Sequence, residues 1–313
     1  MTGVVLYGIN NIFSVRAEGR IFECRIKGKK LRDRDDYNVI TAGDHVEIQA
    51  DMNDPRKASI LAVSPRRNAL MRWNKKRLSR QIVAANLDRV LCVASLGVPP
   101  FRPRFIDRVI VAAESEAIPC SIVVNKVDVG TGDDVKQRIH VYRELGYAVF
   151  ETSCLTGEGI DQVRGATATG VTATFGQSGA GKSSLIRLLV AGAEPRIGEV
   201  SEKYERGRHT TNVSAMWERD DGSCVIDTPG VRELDISHLE PAVVGAAFRE
   251  FLEPATRCEF SPCTHRHEPE CGVREAVACG KIHPDRYESY LRILVEREES
   301  QGLSRRTQWT PTR

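Results

Sequence analysis

The chain has 313 residues, of which 45 are Lys or Arg, 42 are Asp or Glu, and 41% are apolar. This length is enough for two or three domains, and the ordinary apolar content lets each bury a core. No apolar run approaches the about 20 residues that span a bilayer, and no basic stretch followed by an apolar one opens the chain. These features exclude a membrane protein, so we expect a cytoplasmic protein with no membrane partner.

The first 68 residues predict a small all-β domain. Short strand-like runs, such as residues 21–26 and 45–50, are separated by turn signals, and no useful helical period appears. A unit of this kind with basic loops is typical of an OB-fold barrel.

Residues 65–80 contain seven basic side chains and no acidic one. We interpret this segment as a connector, which either lies in solvent or follows a phosphate backbone. A second basic group lies a short distance upstream. The first group is Arg66, Arg67, Arg72, Lys75, Lys76, Arg77 and Arg80, and the second is Lys27, Lys29, Lys30, Arg32 and Arg34.

Residues 69–235 alternate between short apolar strands and helices, which predicts an α/β doubly wound sheet with parallel strands. Motifs that carry chemistry follow several of these strands. The predicted strands are 88–95, 120–125, 147–152, 171–175 and 224–227, and the predicted helices are 104–116, 133–145 and 182–190.

Residues 176–183 read Gly-Gln-Ser-Gly-Ala-Gly-Lys-Ser and fit the phosphate-binding pattern G-x-x-x-x-G-K-[ST]. The segment follows a strand and opens a helix, which argues against a chance glycine-rich turn. Lys182 would reach the β- and γ-phosphates, and the Ser183 hydroxyl would ligate Mg²⁺. The predicted nucleotide-binding residues here are Gly176, Gln177, Ser178, Gly179, Ala180, Gly181, Lys182, Ser183 and Ser184.

Residues 125–128 read Asn-Lys-Val-Asp and also follow a strand. The Asp128 carboxylate can accept hydrogen bonds from the ring N–H and the exocyclic amine of guanine, a pattern that adenine does not offer. Asn125 would hold the base and its loop, and the stem of Lys126 would cover one face of the base. Such residues are common in turns, but together with the phosphate loop they predict guanine-nucleotide binding.

Two further segments complete a G-protein site. Residues 153–159 resemble the guanine-proximal loop of G proteins, beginning with Ser153 and with Cys154 where Ala is usual. Asp227 opens an Asp-Thr-Pro-Gly segment, in which Asp227 would bind Mg²⁺ through water and the Gly230 N–H would contact the γ-phosphate.

Residues 207–211, Gly-Arg-His-Thr-Thr, suit a mobile switch whose Thr211 contacts Mg²⁺ only when GTP is bound. Many GTPases have a water-orienting Gln where this chain has Val231. His209 is our candidate for that task, and its alternative is a solvent-facing loop side chain. The predicted catalytic residues are His209, Lys182 and Thr211, and the predicted magnesium ligands are Ser183, Thr211 and Asp227.

The order of these segments differs from that of ordinary G proteins. Segments 125–128 and 153–159, which should come last, precede 176–183, 207–211 and 227–230. All five remain present, so a circular permutation rebuilds the same site. Switch motion could then reach the domains on both sides of the GTPase core.

Cys258, Cys263, His265 and Cys271 form a complete tetrahedral zinc set with no open position, which predicts one structural zinc per chain. His267 is a rival for His265, and the alternative for the whole group is a set of buried thiols without metal. The set lies in a predicted zinc-binding α-helical domain over residues 236–313. Its predicted helices are 273–279 and 284–301.

The permuted order, the Gly-Arg-His-Thr-Thr and Asp-Thr-Pro-Gly-Val-Arg-Glu segments and the Cys/His spacing resemble the RsgA (YjeQ) family of small-ribosomal-subunit biogenesis GTPases. The resemblance covers essentially the whole chain and implies a GTPase stimulated by the small ribosomal subunit late in its maturation. It also implies that the OB-fold and the zinc domain contact ribosomal RNA, and it carries the same four zinc ligands. We expect a monomer. Cys154 and Asn212 depart mildly from the family pattern.

Three other functions stay open at this point. A zinc-stabilised RNA-binding module with an inactive G domain would not need the intact Lys182, Ser183 and Asp227. A permuted GTPase acting on the large subunit would lack the OB-like front and the zinc set. An ATPase is disfavoured by Asp128.

Overall fold

A computed structural model describes residues 1–27, 39–74, 78–190, 213–230 and 234–308. Its first five strands close into a barrel in which the third and fifth strands are parallel and the other neighbours antiparallel. This arrangement confirms the predicted OB-fold. The strands, in barrel order, are β1 (Thr2–Ile9), β2 (Ile12–Ala17), β3 (Arg20–Ile26), β5 (Lys57–Val63) and β4 (His45–Ala50).

Alternation of side chains explains the barrel. In β3 the side chains of Phe22 and Cys24 point into the core, whereas Glu23 and Arg25 are exposed. Val46 and Ile48 of β4 are buried in the same way and meet them inside the barrel. The closed sheet leaves no unpaired edge on these five strands.

The predicted basic connector is instead a hairpin, and on this point the sequence interpretation was wrong. Strands β6 (Ala69–Asn74) and β7 (Ser79–Ala85) pair antiparallel. Leu70 and Ile82 are buried, so the segment is anchored by apolar side chains between its arginines. Lys75, Lys76 and Arg77 lie outside the described residues.

The central domain is a six-stranded sheet with the order β10-β9-β8-β11-β13-β12. Its first five strands are parallel, as predicted, and β12 is antiparallel to β13. The edge strand β12 was not predicted. The strands are β8 (Arg89–Ser95), β9 (Cys120–Asn125), β10 (Ala148–Thr152), β11 (Val171–Gly176), β12 (Ala215–Glu218) and β13 (Cys224–Asp227).

Helices cover both faces of this sheet. In β8 the side chains of Leu91 and Val93 pack in one core, and those of Val90 and Cys92 pack in another on the opposite face. This alternation is expected for a strand buried on both sides. The helices are α1 (Pro103–Glu114), α2 (Asp133–Glu144), α3 (Ile160–Ala166) and α4 (Lys182–Leu189), with a 3₁₀ turn at Val127–Val129.

The C-terminal part is helical. Phe248, Phe251 and Tyr290 pack against one another with ring centroids 5.0–5.6 Å apart and extend the larger core of the sheet. Among the described residues no helix is both long and apolar enough to cross a membrane. The helices are α5 (Pro241–Ala246), α6 (Leu252–Ala255), α7 (Gly272–Ala278) and α8 (Pro284–Gln308), with a 3₁₀ turn at Arg249–Phe251.

A buried ionic network joins this helical part to the sheet. Asp107 of α1 is fully buried and lies among donors from α2 and α8. Burial alone would lower the pKa of Arg286, yet Asp107 and Glu250 outweigh it and raise that pKa well above its usual value. Asp107 accepts hydrogen bonds from Arg138 Nη2 (2.8 Å), the Tyr142 hydroxyl (2.7 Å), Arg286 Nη1 (2.7 Å) and Ser289 Oγ (2.5 Å).

The barrel is joined to the central domain at two places. Gly43, with φ +89°, lies so close to the end of β7 that a Cβ there would be 2.2 Å from the Ala85 carbonyl oxygen. Arg66 donates to both carboxylate oxygens of the buried Asp44, at 2.6 and 2.8 Å, and holds the same loop. Elsewhere Arg16 of β2 forms an ion pair with Glu218 of β12.

Candidate functional site

The phosphate-binding pattern lies between β11 and α4, as its function requires. Gly179 and Gly181 have φ of +83° and +90°, which side chains other than glycine rarely adopt. A Cβ on Gly181 would stand 2.1 Å from Nδ2 of Asn125, so only glycine fits there. The loop therefore brings backbone N–H groups to the N-terminus of α4, a favourable place for phosphate.

Lys182, at the start of α4, is only 7% exposed. Its ammonium donates to the Thr228 carbonyl oxygen at 2.6 Å and pairs with Asp227 at the end of β13. A Cβ on Gly230 would lie 3.6 Å from Cα of Ser178. The phosphate loop and the Asp-Thr-Pro-Gly segment therefore meet at one point of the sheet. Ser183 and Ser184 are exposed beside them.

Asn125 connects three segments of the site. Its side chain is 1% exposed, and its Nδ2 donates to the Ala180 carbonyl oxygen of the phosphate loop at 3.0 Å. Its Oδ1 accepts from the Cys154 N–H at 3.1 Å and from the Thr152 hydroxyl at 3.3 Å. The loops after β9, β10 and β11 are thereby fixed relative to one another.

Asp128 is oriented by the loop after β10. Its Oδ1 accepts a 2.5 Å hydrogen bond from the Ser153 hydroxyl, whose oxygen in turn accepts from the backbone N–H groups of Leu155 and Thr156 at 3.2 Å each. This leaves the other carboxylate oxygen available to a ligand. Burial raises the pKa of the Cys154 thiol, which therefore stays protonated at neutral pH.

Lys126 has an unusual backbone, with φ +67°. Its ammonium donates to the carbonyl oxygens of Gly179, at 2.8 Å, and Val98, at 2.5 Å. The segment after β8 is therefore part of the site. Sequence reasoning did not identify Val98, because a backbone carbonyl contact leaves no trace in residue type.

The structure thus brings together residues from the carboxyl ends of β9, β10, β11 and β13, where open α/β sheets bind ligands. Lys182 with the glycine-rich loop suits phosphates, Asp227 suits a divalent cation, and Asp128 suits a purine with two adjacent N–H donors. Val231, His209 and Thr211 lie outside the described residues.

A second cluster lies between α6 and α7. The sulfur and Nδ1 atoms of Cys258, Cys263, His265 and Cys271 all lie within 4.8 Å of one another. Four of the six pairs are separated by 3.4–3.9 Å: Cys258 with His265 and with Cys271, and Cys271 with Cys263 and with His265. Ligands at about 2.3 Å (sulfur) and about 2.0 Å (nitrogen) from a tetrahedral metal ion would be roughly 3.5–3.8 Å apart, so the cluster can hold a metal ion.

The cluster includes His265 and leaves His267 exposed outside it. His265 has φ +55°, and the Tyr287 hydroxyl donates to its carbonyl oxygen at 2.6 Å. The Tyr290 hydroxyl donates to the neighbouring Thr264 carbonyl oxygen at 2.7 Å. Helix α8 therefore fixes the loop that presents the imidazole. Cys279 is exposed and outside the cluster as well.

Comparison with known proteins adds an independent finding. The RsgA GTPase family model matches residues 63–237, and the RsgA N-terminal domain model matches residues 2–56. A protein of Borrelia recurrentis named small ribosomal subunit biogenesis GTPase RsgA is 40% identical, over 96% of each chain. One of the same name from Phocaeicola vulgatus is 36% identical, over 96% of this chain and 98% of its own.

Two solved structures have a similar fold. YjeQ from Thermotoga maritima superposes with a TM-score of 0.72 at 31% identity, covering 94% of this chain and 97% of its own. YloQ, described as a circularly permuted GTPase, superposes with a TM-score of 0.68 at 24% identity, covering 95% of each chain. The permuted order predicted from the sequence is consistent with both.

Proposed function

Because the chain belongs to the RsgA family of GTPases, we propose that it hydrolyses GTP to GDP and phosphate in biogenesis of the small ribosomal subunit. The observation that carries this proposal is the convergence of Lys182, Asp227, Asn125 and Asp128 at one edge of the sheet. We propose that these side chains supply the phosphate, metal and guanine contacts. We further propose a cytoplasmic monomer with domains at residues 1–68, 69–235 and 236–313.

Mg²⁺ would be held by the exposed Ser183 hydroxyl and, through water, by Asp227, with Thr211 as a further ligand. It would neutralise charge on the β- and γ-phosphates. Lys182 would contact the same phosphates, and the Gly230 N–H would contact the γ-phosphate. We assign orientation of the attacking water to His209, on the sequence argument alone.

Asp128→Asn should change base selectivity. An amide in place of the carboxylate cannot accept both guanine N–H bonds and instead offers a donor to the 2-oxo group of xanthine. We expect the ratio of GTP to XTP affinity to fall by a factor on the order of 10³, because the mismatch leaves buried polar groups unpaired.

Competition binding with GTP, XTP and ATP measures this ratio. Asp134→Asn, an exposed carboxylate on α2, serves as the control and should behave as the unmodified protein. Equal affinity of the unmodified protein for ATP and GTP would contradict the assignment of Asp128.

We propose that the Cys/His cluster holds one structural zinc ion. Three sulfur ligands and one imidazole favour zinc, and a full set of four leaves no position for a substrate. The zinc would tie the loop before α7 to α6 and present a fixed surface beside α8.

Metal analysis of the purified protein should find one zinc per chain. Cys271→Ser should abolish this content, because the hydroxyl is a poor zinc ligand, and hydrogen exchange in α7 should rise. Cys279→Ser is the matched control, since Cys279 is exposed outside the cluster, and it should retain the metal. Zinc-free protein from a chelator-free preparation would refute the site.

The proposed partners are the small ribosomal subunit and its RNA, contacted by the barrel and by the metal-cluster domain. These domains flank the nucleotide site in the sequence, so both can respond to its state. Purified small subunits should stimulate GTP turnover by at least about tenfold, whereas large subunits should not. A non-hydrolysable GTP analogue should tighten subunit binding relative to GDP by about 1–3 kcal/mol. Equal binding in both nucleotide states, without stimulation, would reject this function.

A further inference from the structure

The Asp-Thr-Pro-Gly segment leaves the central sheet at the end of β13. This strand ends at Asp227, which lies opposite Thr174 of the parallel strand β11. Three residues later the chain lies against the phosphate loop, since a Cβ on Gly230 would stand 3.6 Å from Cα of Ser178. The position of Gly230 over the phosphate loop therefore depends on how the first residue after β13 is held.

That residue, Thr228, is held by its own side chain. Its hydroxyl donates to the Thr174 carbonyl oxygen of β11 at 2.6 Å. The Thr174 hydroxyl in turn donates to the Ile226 carbonyl oxygen of β13 at 3.1 Å. Both threonines are fully buried, so water does not compete for these hydrogen bonds, and losing a partner would leave a buried polar group unpaired. The reciprocal pair extends the connection between β11 and β13 beyond the end of β13.

The main chain of Thr228 takes part in the nucleotide site. Its carbonyl oxygen accepts a 2.6 Å hydrogen bond from Nζ of Lys182, whose ammonium also pairs with Asp227. Residue 228 is thus bonded to β11 through its hydroxyl and to the phosphate-loop lysine through its carbonyl. The next residue is Pro229, whose ring restricts φ to about −65°. The orientation that is set at Thr228 is therefore passed to Gly230 with little freedom.

We propose that Thr228 is a positioning residue for recognition of the γ-phosphate, a role that rests on the proposed function for the identity of the nucleotide. Its side chain contacts β11 and acts on the nucleotide only through Gly230, whose N–H would contact the γ-phosphate. GDP lacks this phosphate, so the hydroxyl should matter for GTP and little for GDP. A misplacement of about 1 Å in such a site can lower a reaction rate about 10²-fold.

The test measures the affinity of the full-length protein for GDP and for a non-hydrolysable GTP analogue, at saturating Mg²⁺. Thr228→Val removes the hydroxyl and keeps the size of the side chain. We expect it to lower the ratio of analogue affinity to GDP affinity at least about fivefold, and single-turnover hydrolysis at least about tenfold. GDP affinity should change by less than about twofold, because the contacts of Asn125 and Asp128 do not involve Thr228. Thr228→Ser keeps the hydroxyl and should behave as the unmodified protein.

Thr172→Val is the matched control on β11. Thr172 is fully buried, and among the described residues its hydroxyl has no hydrogen-bond partner, so the variant makes the same chemical change without breaking a bond. It should keep both affinities and the turnover. Thr174→Val removes the reciprocal bond to β13 and should lower the midpoint of urea unfolding about as much as Thr228→Val does, with a smaller change in the affinity ratio.

The inference is overturned if Thr228→Val leaves the affinity ratio unchanged, or if Thr228→Ser lowers it as much as Thr228→Val does. An equal loss of the ratio in Thr174→Val would also overturn it, because general loosening of the two strands would then explain the effect. The affinity ratio does not depend on turnover. An unmodified protein that fails to hydrolyse GTP would therefore refute the proposed function, whereas the ratio alone decides the role of Thr228.

Discussion

Replacing Lys182 by alanine should lower GTP turnover by a factor on the order of 10²–10³, the usual effect of removing a charge that stabilises a transition state. The ammonium is 7% exposed and lies between the phosphate loop and Asp227. In such a site water screens charge weakly, so no solvent cation replaces it. The variant also leaves the Asp227 carboxylate without its neighbouring ammonium, and this uncompensated negative charge would repel the phosphates.

Single-turnover and steady-state GTP hydrolysis, with and without small ribosomal subunits, measure this effect. Lys136→Ala is the matched control, because Lys136 is 61% exposed on α2 and pairs with Asp133 in solvent. The control should keep the turnover of the unmodified protein. Undiminished turnover in Lys182→Ala would show that a residue other than Lys182 stabilises the charge on the phosphates.

Asp107→Ala should lower the free energy of unfolding by about 3–5 kcal/mol, the usual cost of removing one partner from a buried ion pair. Two guanidinium groups, those of Arg138 and Arg286, would lose a fully buried counterion. Glu250 would still pair with Arg286. The loss should therefore appear first as opening of α8 from α1 and α2.

Urea unfolding and amide hydrogen exchange in α8 measure the two parts of this prediction. Asp133→Ala removes a carboxylate that is 98% exposed on α2 and should change stability by less than about 0.5 kcal/mol. Equal stability of the two variants would show that the network contributes little to the attachment of the C-terminal helices.

Local sequence patterns were sufficient to predict many of the strands and helices. The strands at 120–125 and 224–227 have the predicted bounds, and the helix predicted at 133–145 ends one residue earlier. The phosphate-binding motif and the other site motifs each follow a strand, so a short apolar run just before such a motif is predicted to be a strand and not a helix. Four of the five predicted nucleotide-site segments (125–128, 153–159, 176–183 and 227–230) also lie together, because each follows a strand of the same sheet, and the fifth, 207–211, lies outside the described residues.

Pairing between distant segments was harder to predict. The β6–β7 hairpin is rich in arginine, and this composition is typical of a solvated linker. In the structure Arg72 lies opposite Gln81, and Arg80 lies opposite Trp73. Strand β12 has four residues and no alternation of buried and exposed side chains. The β6–β7 hairpin and strand β12 are both stabilised by pairing with a neighbouring strand. Such pairing is a tertiary interaction, and local sequence propensity does not predict it.

Neither the imidazole of the metal cluster nor the partners of Asp107 follow from spacing. His265 and His267 are two residues apart, and the choice between them depends on a backbone turn held by Tyr287 from α8. Asp107 belongs to an amphipathic helix, and from the sequence alone it would be assigned to the polar, solvent-facing side of that helix. Its partner Arg286 lies 179 residues further along the chain.

This separation has a consequence for synthesis. At about 5–20 residues per second, the ribosome needs on the order of 10–40 s to add the residues between Asp107 and Arg286. During that interval the apolar face of α1 that α8 will cover stays open to water, and the carboxylate of Asp107 lacks one of its two arginines. A nascent chain that stops before α8 therefore exposes apolar surface and keeps an incompletely paired charge, so such fragments should aggregate or be degraded. Helix α8 therefore completes the protection of α1, a helix that is synthesised much earlier.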